Sequence, residues 1–316
     1  KRALMIYEVL NDRIGIARAL HKFGSYYSDR EEYETTLDYY NRSLIISQEL
    51  GDKHGIGWIY NDIGNIYGAL GDTYKQLDYW ERQLSIFKEI EYKYGVAWTF
   101  WNTGYTYVRD LYDYEKGLDY VKKSVAIDLE LGADTTGMGG KMSQIYLGMG
   151  DYDTALKYSQ NGLKYFTEQG FTSAIAWMLT TISAINIERR QFDKAVTNLE
   201  RALLIRKDEK FDVDKILPIA VLLSLSKKNL GEDYNIDEIN KLIQDADQME
   251  VSNNYRNSFI YHYRDKIGFD TNYYIYLLLE HHSYLETAYN QVQEKADNLE
   301  PDVAAKFLSY PIPKAI

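Results

Sequence analysis

The chain has no cysteine, which excludes a disulfide framework and a thiolate metal site and fits a reducing compartment such as the cytosol. Proline is scarce, with four in all and none before Pro218, so no residue in the first two thirds forces a helix to break. Basic side chains fall short of acidic ones, 36 against 47, for a formal net charge of −11. A polyanion is repelled by that balance, and no Lys/Arg-rich run reverses it locally, so nucleic acid is not an expected partner. No apolar run approaches the roughly 18 residues of a membrane span. The opening KRALMIYEVL is amphipathic and lacks the uninterrupted apolar stretch of a signal peptide. The expectation is a cytoplasmic chain with no membrane contact.

What the chain has in abundance is apolar and aromatic side chains, and a repeat. Apolar residues make up 45% and aromatics 15%, including 31 Tyr, which places the chain among folded proteins rather than disordered ones. From Gly51 it reads GDKHGIGWIYNDIGNIYGALGDTYKQLDYWERQLSIF, with looser copies on both sides. A small anchor residue recurs at Gly24, Gly64, Gly104, Ser143 and Ser183, in steps of 40, 40, 39 and 40 residues. Three positions later stand Tyr27, Tyr67, Tyr107, Tyr146 and Asn186. A period of this length means stacked units, each burying its core against its neighbours, and such arrays usually bind rather than catalyse.

Each unit reads as two helices. Tyr60, Ile63, Gly64 and Tyr67 share one helical stripe, a turn follows at Gly71-Asp72, and Leu77, Trp80 and Leu84 mark the second helix. Small residues at Ser43, Ser124, Gly162 and Ala202 mark close helix contact on the second helix, with Gln83 the exception. Gly51-Asp52 and Gly132-Ala133-Asp134 suit a helix end followed by the cap of the next helix.

Over its first two thirds this pattern resembles the tetratricopeptide repeat, in the longer variant of kinesin light chains, cell-polarity adaptors and bacterial signalling proteins. Tyr60, Ile63, Gly64 and Tyr67 match the family's first helix, and Ala155, Ala195 and Ala202 its second. The period of about 40 rather than 34 and the missing repeat-ending proline both depart from the usual form. The resemblance implies an all-α, right-handed α-solenoid of helix hairpins with a diverged helical cap at the C-terminal end.

The expected organisation is a repeat array over 1–209 (half a repeat plus five helix pairs), diverged helices over 210–300, and a tail over 301–316. In the diverged region, Asp214–Leu230 pairs with Ile236–Gln248, and Thr271–His281 with Tyr284–Leu299. Lys1–Leu10 matches a second helix lacking its first, so the expectation is a piece of a longer protein. The last 34 residues resemble the segment closing repeat regions in bacterial multidomain signalling proteins, where a nucleotide cyclase or other output domain often adjoins the repeats.

The resemblance implies that each first helix lines an inner groove, through rows lying six and three residues before the anchor and one after it. These rows hold Trp58, Trp98 and Trp177; Asn61 and Trp101; and Asn65, Tyr105 and Gln144, with Asn102 and Lys141 on the flank. Asn both donates to and accepts from a peptide amide, and Trp and Tyr supply apolar area at low entropy cost. In the resembling adaptors, groove Asn residues clamp a peptide main chain, and Asn61, Asn65 and Asn102 match by position. A Trp here also suits packing on a neighbouring helix, and a surface Asn also suits plain solvation.

Thr135–Met142 invites a phosphate-loop reading and fails it. GxxxxGK[ST] needs Gly at 135 and Ser or Thr at 142, and a strand before the loop. Its three glycines predict a thin or flexible helix instead. His281-His282 diverge by about 100° on a helix and rarely share a metal. No nucleophile stands with a base and an orienting partner, so no catalytic residue, metal or cofactor is expected. The expected function is a non-catalytic scaffold binding a protein or peptide segment in the groove, within a signalling protein. The alternative is an intramolecular brace or dimerisation module for an adjoining domain.

Overall fold

The computed structural model describes residues 2–208, 213–248 and 269–316. It is an all-α solenoid of helix hairpins. Helix α1 (Arg2–Val9) precedes the hairpins α2 (Arg13–Ser28) with α3 (Tyr33–Leu50), α4 (Lys53–Ala69) with α5 (Thr73–Glu89), and α6 (Lys93–Arg109) with α7 (Tyr114–Glu130). Then come α8 (Gly139–Gly148) with α9 (Tyr152–Gln169), α10 (Thr172–Glu188) with α11 (Phe192–Asp208), and α12 (Val213–Leu230) with α13 (Ile236–Gln248). The remaining described helices are α14 (Phe269–Leu279), α15 (His282–Asp297), α16 (Pro301–Ser309) and α17 (Pro311–Ala315). The stretch 249–268 of the diverged region expected over 210–300 lies outside the described residues.

The turns work as their chemistry requires. Asp52, Asp72 and Asp151 each cap the following helix by accepting the backbone N–H three residues on. Each turn from α1 to α11 carries one residue with positive φ, among them Gly51 at 69° and Gly71 at 83°, but also Glu91 at 54° and Tyr112 at 52°, where a side chain is strained.

The recurring small anchors sit where the two helices of a hairpin cross. A methyl group on Gly24 would lie 2.4 Å from the Tyr40 ring, and one on Gly104 2.8 Å from the Gly117 carbonyl oxygen. At the fourth anchor the Ser143 hydroxyl donates to the Ala155 carbonyl at 2.9 Å. On the second helices, Ser43 donates to the Ala17 carbonyl at 2.8 Å and Ser124 to that of Ala97 at 2.9 Å. Gln83 takes the same place, fully buried, and its amide has no partner among the described residues. The tyrosines after the anchors stack on tyrosines of the second helix: Tyr27 on Tyr39, Tyr67 on Tyr79, Tyr107 on Tyr120 and Tyr146 on Tyr158, with centroids 5.3 to 5.6 Å apart.

Around Gly137–Gly140 the helix shortens. Thr136–Met138 form a single 3₁₀ turn, and α8 starts only at Gly139, giving 10 residues against 17 in α4, α6 and α10. Three glycines within four residues lower helix propensity by about 1 kcal/mol each.

The chain divides into two compact units. Unit 1 comprises residues 1–110 and 116–133, and unit 2 comprises 111–115 and 134–316. In unit 1, Tyr40, Ile59, Ile63 and Ile66 form a core cluster. In unit 2, larger clusters run through α10, α11 and α12 and through α12, α13 and α14.

Candidate functional site

In α4 the core stripe is Ile56, Ile59, Ile63 and Ile66, with Gly57 and Gly64 where the second helix approaches. The adjoining face carries Trp58, Asn61, Asp62 and Asn65. In α6 the corresponding face carries Trp98, Trp101, Asn102 and Tyr105. Unit 1 thus holds seven of the ten residues expected from sequence, on two successive first helices.

Their environments differ. Trp58, Asn65, Trp98, Trp101 and Tyr105 are half-buried. The Trp58 ring lies edge-on to Phe87 at 5.4 Å, and its Nε1 donates to His54 Nε2 at 3.4 Å. The Arg109 guanidinium sits 5.3 Å from the centre of the Tyr105 ring. Asn61 and Asn102 lie deeper, 5% and 3% exposed. Asn61 donates through Nδ2 to Asp62 at 3.0 Å, and its backbone carbonyl accepts the Trp80 indole N–H at 3.4 Å. The Asn61 Oδ1 and the Asn102 Nδ2 have no protein partner among the described residues.

An electrostatic pattern runs along this face. Asp62 links neighbouring hairpins, accepting from His21 Nε2 of α2 at 2.6 Å as well as from Asn61. Beneath it the Tyr40 phenol donates to Ser25 Oγ at 3.5 Å and is pushed up to about 12, first by burial and then by the Asp62 charge. Helix α2 contains Arg13, Arg18 and Lys22 and no carboxylate. Arg13 pairs with Glu49, whereas the exposed Arg18 and Lys22 form no ion pair among the described residues. The α2 end is therefore basic in a chain of net charge −11, and the α6 end is aromatic.

The other three expected residues belong to unit 2. Trp177 of α10 lies over Gly140, where a methyl group would meet its ring at 2.5 Å, and Lys141 sits 5.0 Å from the ring centre. Gln144 is exposed on α8. The sequence reading missed the His21–Asp62 pair. Its signal was there in neighbouring rows, a base three residues before one anchor and an acid two before the next. His281 hydrogen-bonds the Ser283 hydroxyl at 2.7 Å. Among the described residues, no cluster of three or more His, Cys, Asp or Glu is placed to hold a metal.

The tetratricopeptide repeat profile matches residues 15–75, which run from α2 into α5. No curated protein matches the chain. Among solved structures, the chain is similar to a Signal Transduction ATPase with Numerous Domains carrying a tetratricopeptide repeat sensor, from Pyrococcus horikoshii. There the TM-score is 0.63 at 15% identity, over 74% of this chain and 36% of that one. The chain thus spans about a third of that protein's length. It is also similar to a Rap protein complexed with Competence and Sporulation Factor, with TM-score 0.54 and 15% identity over 93% of this chain and 72% of that one. Aspartyl phosphate phosphatase F of Bacillus subtilis gives TM-score 0.54 at 12% identity, over 86% and 70%. At such identities the likeness is one of fold.

Proposed function

We propose that this chain, which carries a tetratricopeptide-type repeat region, is a non-catalytic scaffold that binds an extended peptide segment on the α2–α4–α6 face of unit 1. One observation carries the reading. Helices α4 and α6 keep, beside their core stripes, a face of half-buried Trp58, Asn65, Trp98, Trp101 and Tyr105, with the amides of Asn61 and Asn102 set deeper. Large aromatics and amides there suit a peptide, whose main chain asks for donors and acceptors and whose side chains ask for apolar area. The Rap neighbour was solved with a bound factor, which supports the reading by analogy of fold.

The charge pattern orients the ligand. Arg18 and Lys22 on α2 favour an acidic stretch, and Trp98, Trp101 and Tyr105 on α6 favour apolar or aromatic side chains. Asn65 lies near the surface as the main-chain clamp, with Asn61 and Asn102 beneath it. Lys141, Gln144 and Trp177 form a separate patch of the same chemistry in unit 2. The proposed setting is the regulatory part of a cytoplasmic signalling protein.

The test is selection from a random 12-residue peptide library against the full chain. The expected outcome is a consensus with acidic and aromatic halves, bound at least about tenfold more weakly by Asn65→Ala/Trp101→Ala, a loss of about 1.4 kcal/mol or more. A consensus that binds the double variant unchanged overturns the reading.

A second reading, the array as an intramolecular brace or dimerisation module, is favoured by the depth of Asn61 and Asn102, which a passing main chain meets only at the edge. It predicts no selected consensus, and in its dimerisation form a concentration-dependent change in mass.

A further inference from the structure

In unit 2 the helices α14 to α17 touch the turns that end α12, α10 and α8, and a fourth turn formed by the unit's own segment 111–115. At α12, Lys228 Nζ donates to the carbonyls of Leu277 at 3.3 Å and Leu278 at 2.9 Å, and to Glu280 at 2.7 Å. At α10, the Tyr274 hydroxyl donates to Glu188 at 3.3 Å, beside the Tyr152 hydroxyl, which donates to the same carboxylate at 3.4 Å. After α8, the Pro311 ring lies over Gly150, 3.0 Å from where a methyl group would stand. At 111–115, Tyr112 meets Phe307 at 4.7 Å, Tyr114 meets Tyr310 at 4.6 Å, and Lys306 bridges Asp113 at 3.2 Å and Glu115 at 2.7 Å.

These contacts join into one layer. Asn272 donates to Gln291 at 3.0 Å, tying α14 to α15. Val292 and Ala296 of α15 share a cluster with Phe307 and Tyr112. Phe307 is fully buried. Tyr112 takes the turn position held by glycine at 71, 150 and 231, with φ 52°. A side chain in that conformation costs about 1–2 kcal/mol, and its ring is the part that meets Phe307.

We infer that α14–α17 form a splint, which fixes the spacing of the four turns and so the angle between successive hairpins of unit 2. A solenoid changes curvature by small rotations of each repeat against the next. Each rotation moves neighbouring turns together or apart, and a packed layer bonded to four of them resists that movement. A simple end cap, by contrast, covers only the last hairpin.

The absence of native cysteine permits clean spin labelling. Labels at the exposed positions Asn161 on α9 and Gln244 on α13 report the spread of hairpin angles by pulsed electron resonance on the full chain. The wild-type chain should give a narrow distance distribution, and both Lys228→Ala and Lys306→Ala/Phe307→Ala a broad one, with unchanged far-UV circular dichroism. Hydrogen exchange at 188–192, which Lys306 and Phe307 do not touch, should rise about tenfold in the second variant. If the distribution stays narrow and exchange rises only at 111–115 and 301–316, α16 is a local cap and the splint is refuted. Should the double variant lose helical structure, Lys306→Ala alone and Lys228→Ala give the same two readouts.

Discussion

Helices α4 and α10 hold equivalent places in the two units and treat their surroundings differently. In α4, seven of 17 residues are buried, and the Trp58–Asn65 face stays half open. In α10, ten of 17 are buried, among them Ile175, Met178, Leu179, Ile182 and Ile185 on several sides of the helix. Unit 1 also keeps amides in its interior, with Asn61, Gln83 and Asn102 each missing a partner for at least one amide atom among the described residues. An unpartnered buried polar group costs about 1–3 kcal/mol. A helix enclosed on most sides suits stability, whereas one that tolerates unmet polar groups beside half-buried indoles suits the recognition face proposed above. The comparison supports the proposal of a recognition face in unit 1, and it gives unit 2 the more enclosed first helix.

The sharpest way to break this contrast is to damage one core and watch the other. Phe87 is fully buried, and its ring occupies the space that methyl groups on Gly57 and Gly95 would need, at 2.3 and 2.5 Å. Phe87→Ala should cost about 3–5 kcal/mol. Exchange should rise in α4 to α6 and remain unchanged in α10 to α12. The converse, Leu199→Ala at a fully buried site of unit 2, should cost about 2–5 kcal/mol and loosen α10 to α12 alone. If either variant loosens all the described helices equally, the units are not separate in stability.

Alkali should separate the units next. Burial first, then the Glu188 charge for Tyr274 and the Asp270 charge for Tyr114, pushes both phenols of unit 2 well above the ordinary tyrosine range. In unit 1, Tyr40 rises to about 12. Each folded pKa lies above its unfolded value near 10, so the stabilisation is complete below about pH 10 and is lost as pH climbs through the folded value. For Tyr40 the loss between pH 10 and 12 is on the order of 2–3 kcal/mol. Urea unfolding at pH 9 and pH 12, followed by tyrosinate absorbance, should show a smaller alkaline loss in Tyr114→Phe than in Tyr40→Phe. Equal losses would mean that unit 2 buries its phenols no more tightly than unit 1.

At the helix crossings the contrast moves to single glycines. A methyl group on Gly104 meets the backbone carbonyl of Gly117 at 2.8 Å, whereas one on Gly64 meets the Trp80 side chain at 2.9 Å and reaches the Gln76 carbonyl only at a looser 3.2 Å. Backbone cannot step aside as a ring can. Gly104→Ala should therefore cost about 1–3 kcal/mol and Gly64→Ala less, measured by chemical denaturation. A larger loss at Gly64 would show that the Trp80 ring is the less movable of the two.

The sequence made the hairpins legible because each unit repeats the same physical demands. The anchors Gly24 to Ser183 had to be small to let two helices cross, and Asp52, Asp72 and Asp151 had to cap. The shortening of α8 was half legible, since glycines announce weak helix but not where it begins. Pairings that depend on the angle between neighbouring hairpins were invisible, among them His21 with Asp62. So was Lys306 with Asp113, 193 residues apart and outside any repeat register. At the site, spacing assigned the faces of Asn61 and Asn102 but not their depth, which is set by how closely the next helix leans.

The smallest effect compares the same turn position in each unit. Glu91 in unit 1 and Tyr112 in unit 2 both hold positive φ, at 54° and 52°. Glycine relieves a left-handed residue of about 1–2 kcal/mol, and its extra freedom in the unfolded chain takes back about 0.5–1 kcal/mol. Glu91 is exposed and forms no ion pair among the described residues, so Glu91→Gly should stabilise unit 1 by up to about 1 kcal/mol. Tyr112→Gly removes the same strain and also the ring that meets Phe307 and lies 5.5 Å from the Lys295 ammonium. The aromatic contact outweighs the relief, and the sign of the effect should reverse. Melting temperatures of the two variants decide it. A rise in both would show that the Tyr112 ring holds nothing, and that its turn is an ordinary strained corner like that of Glu91.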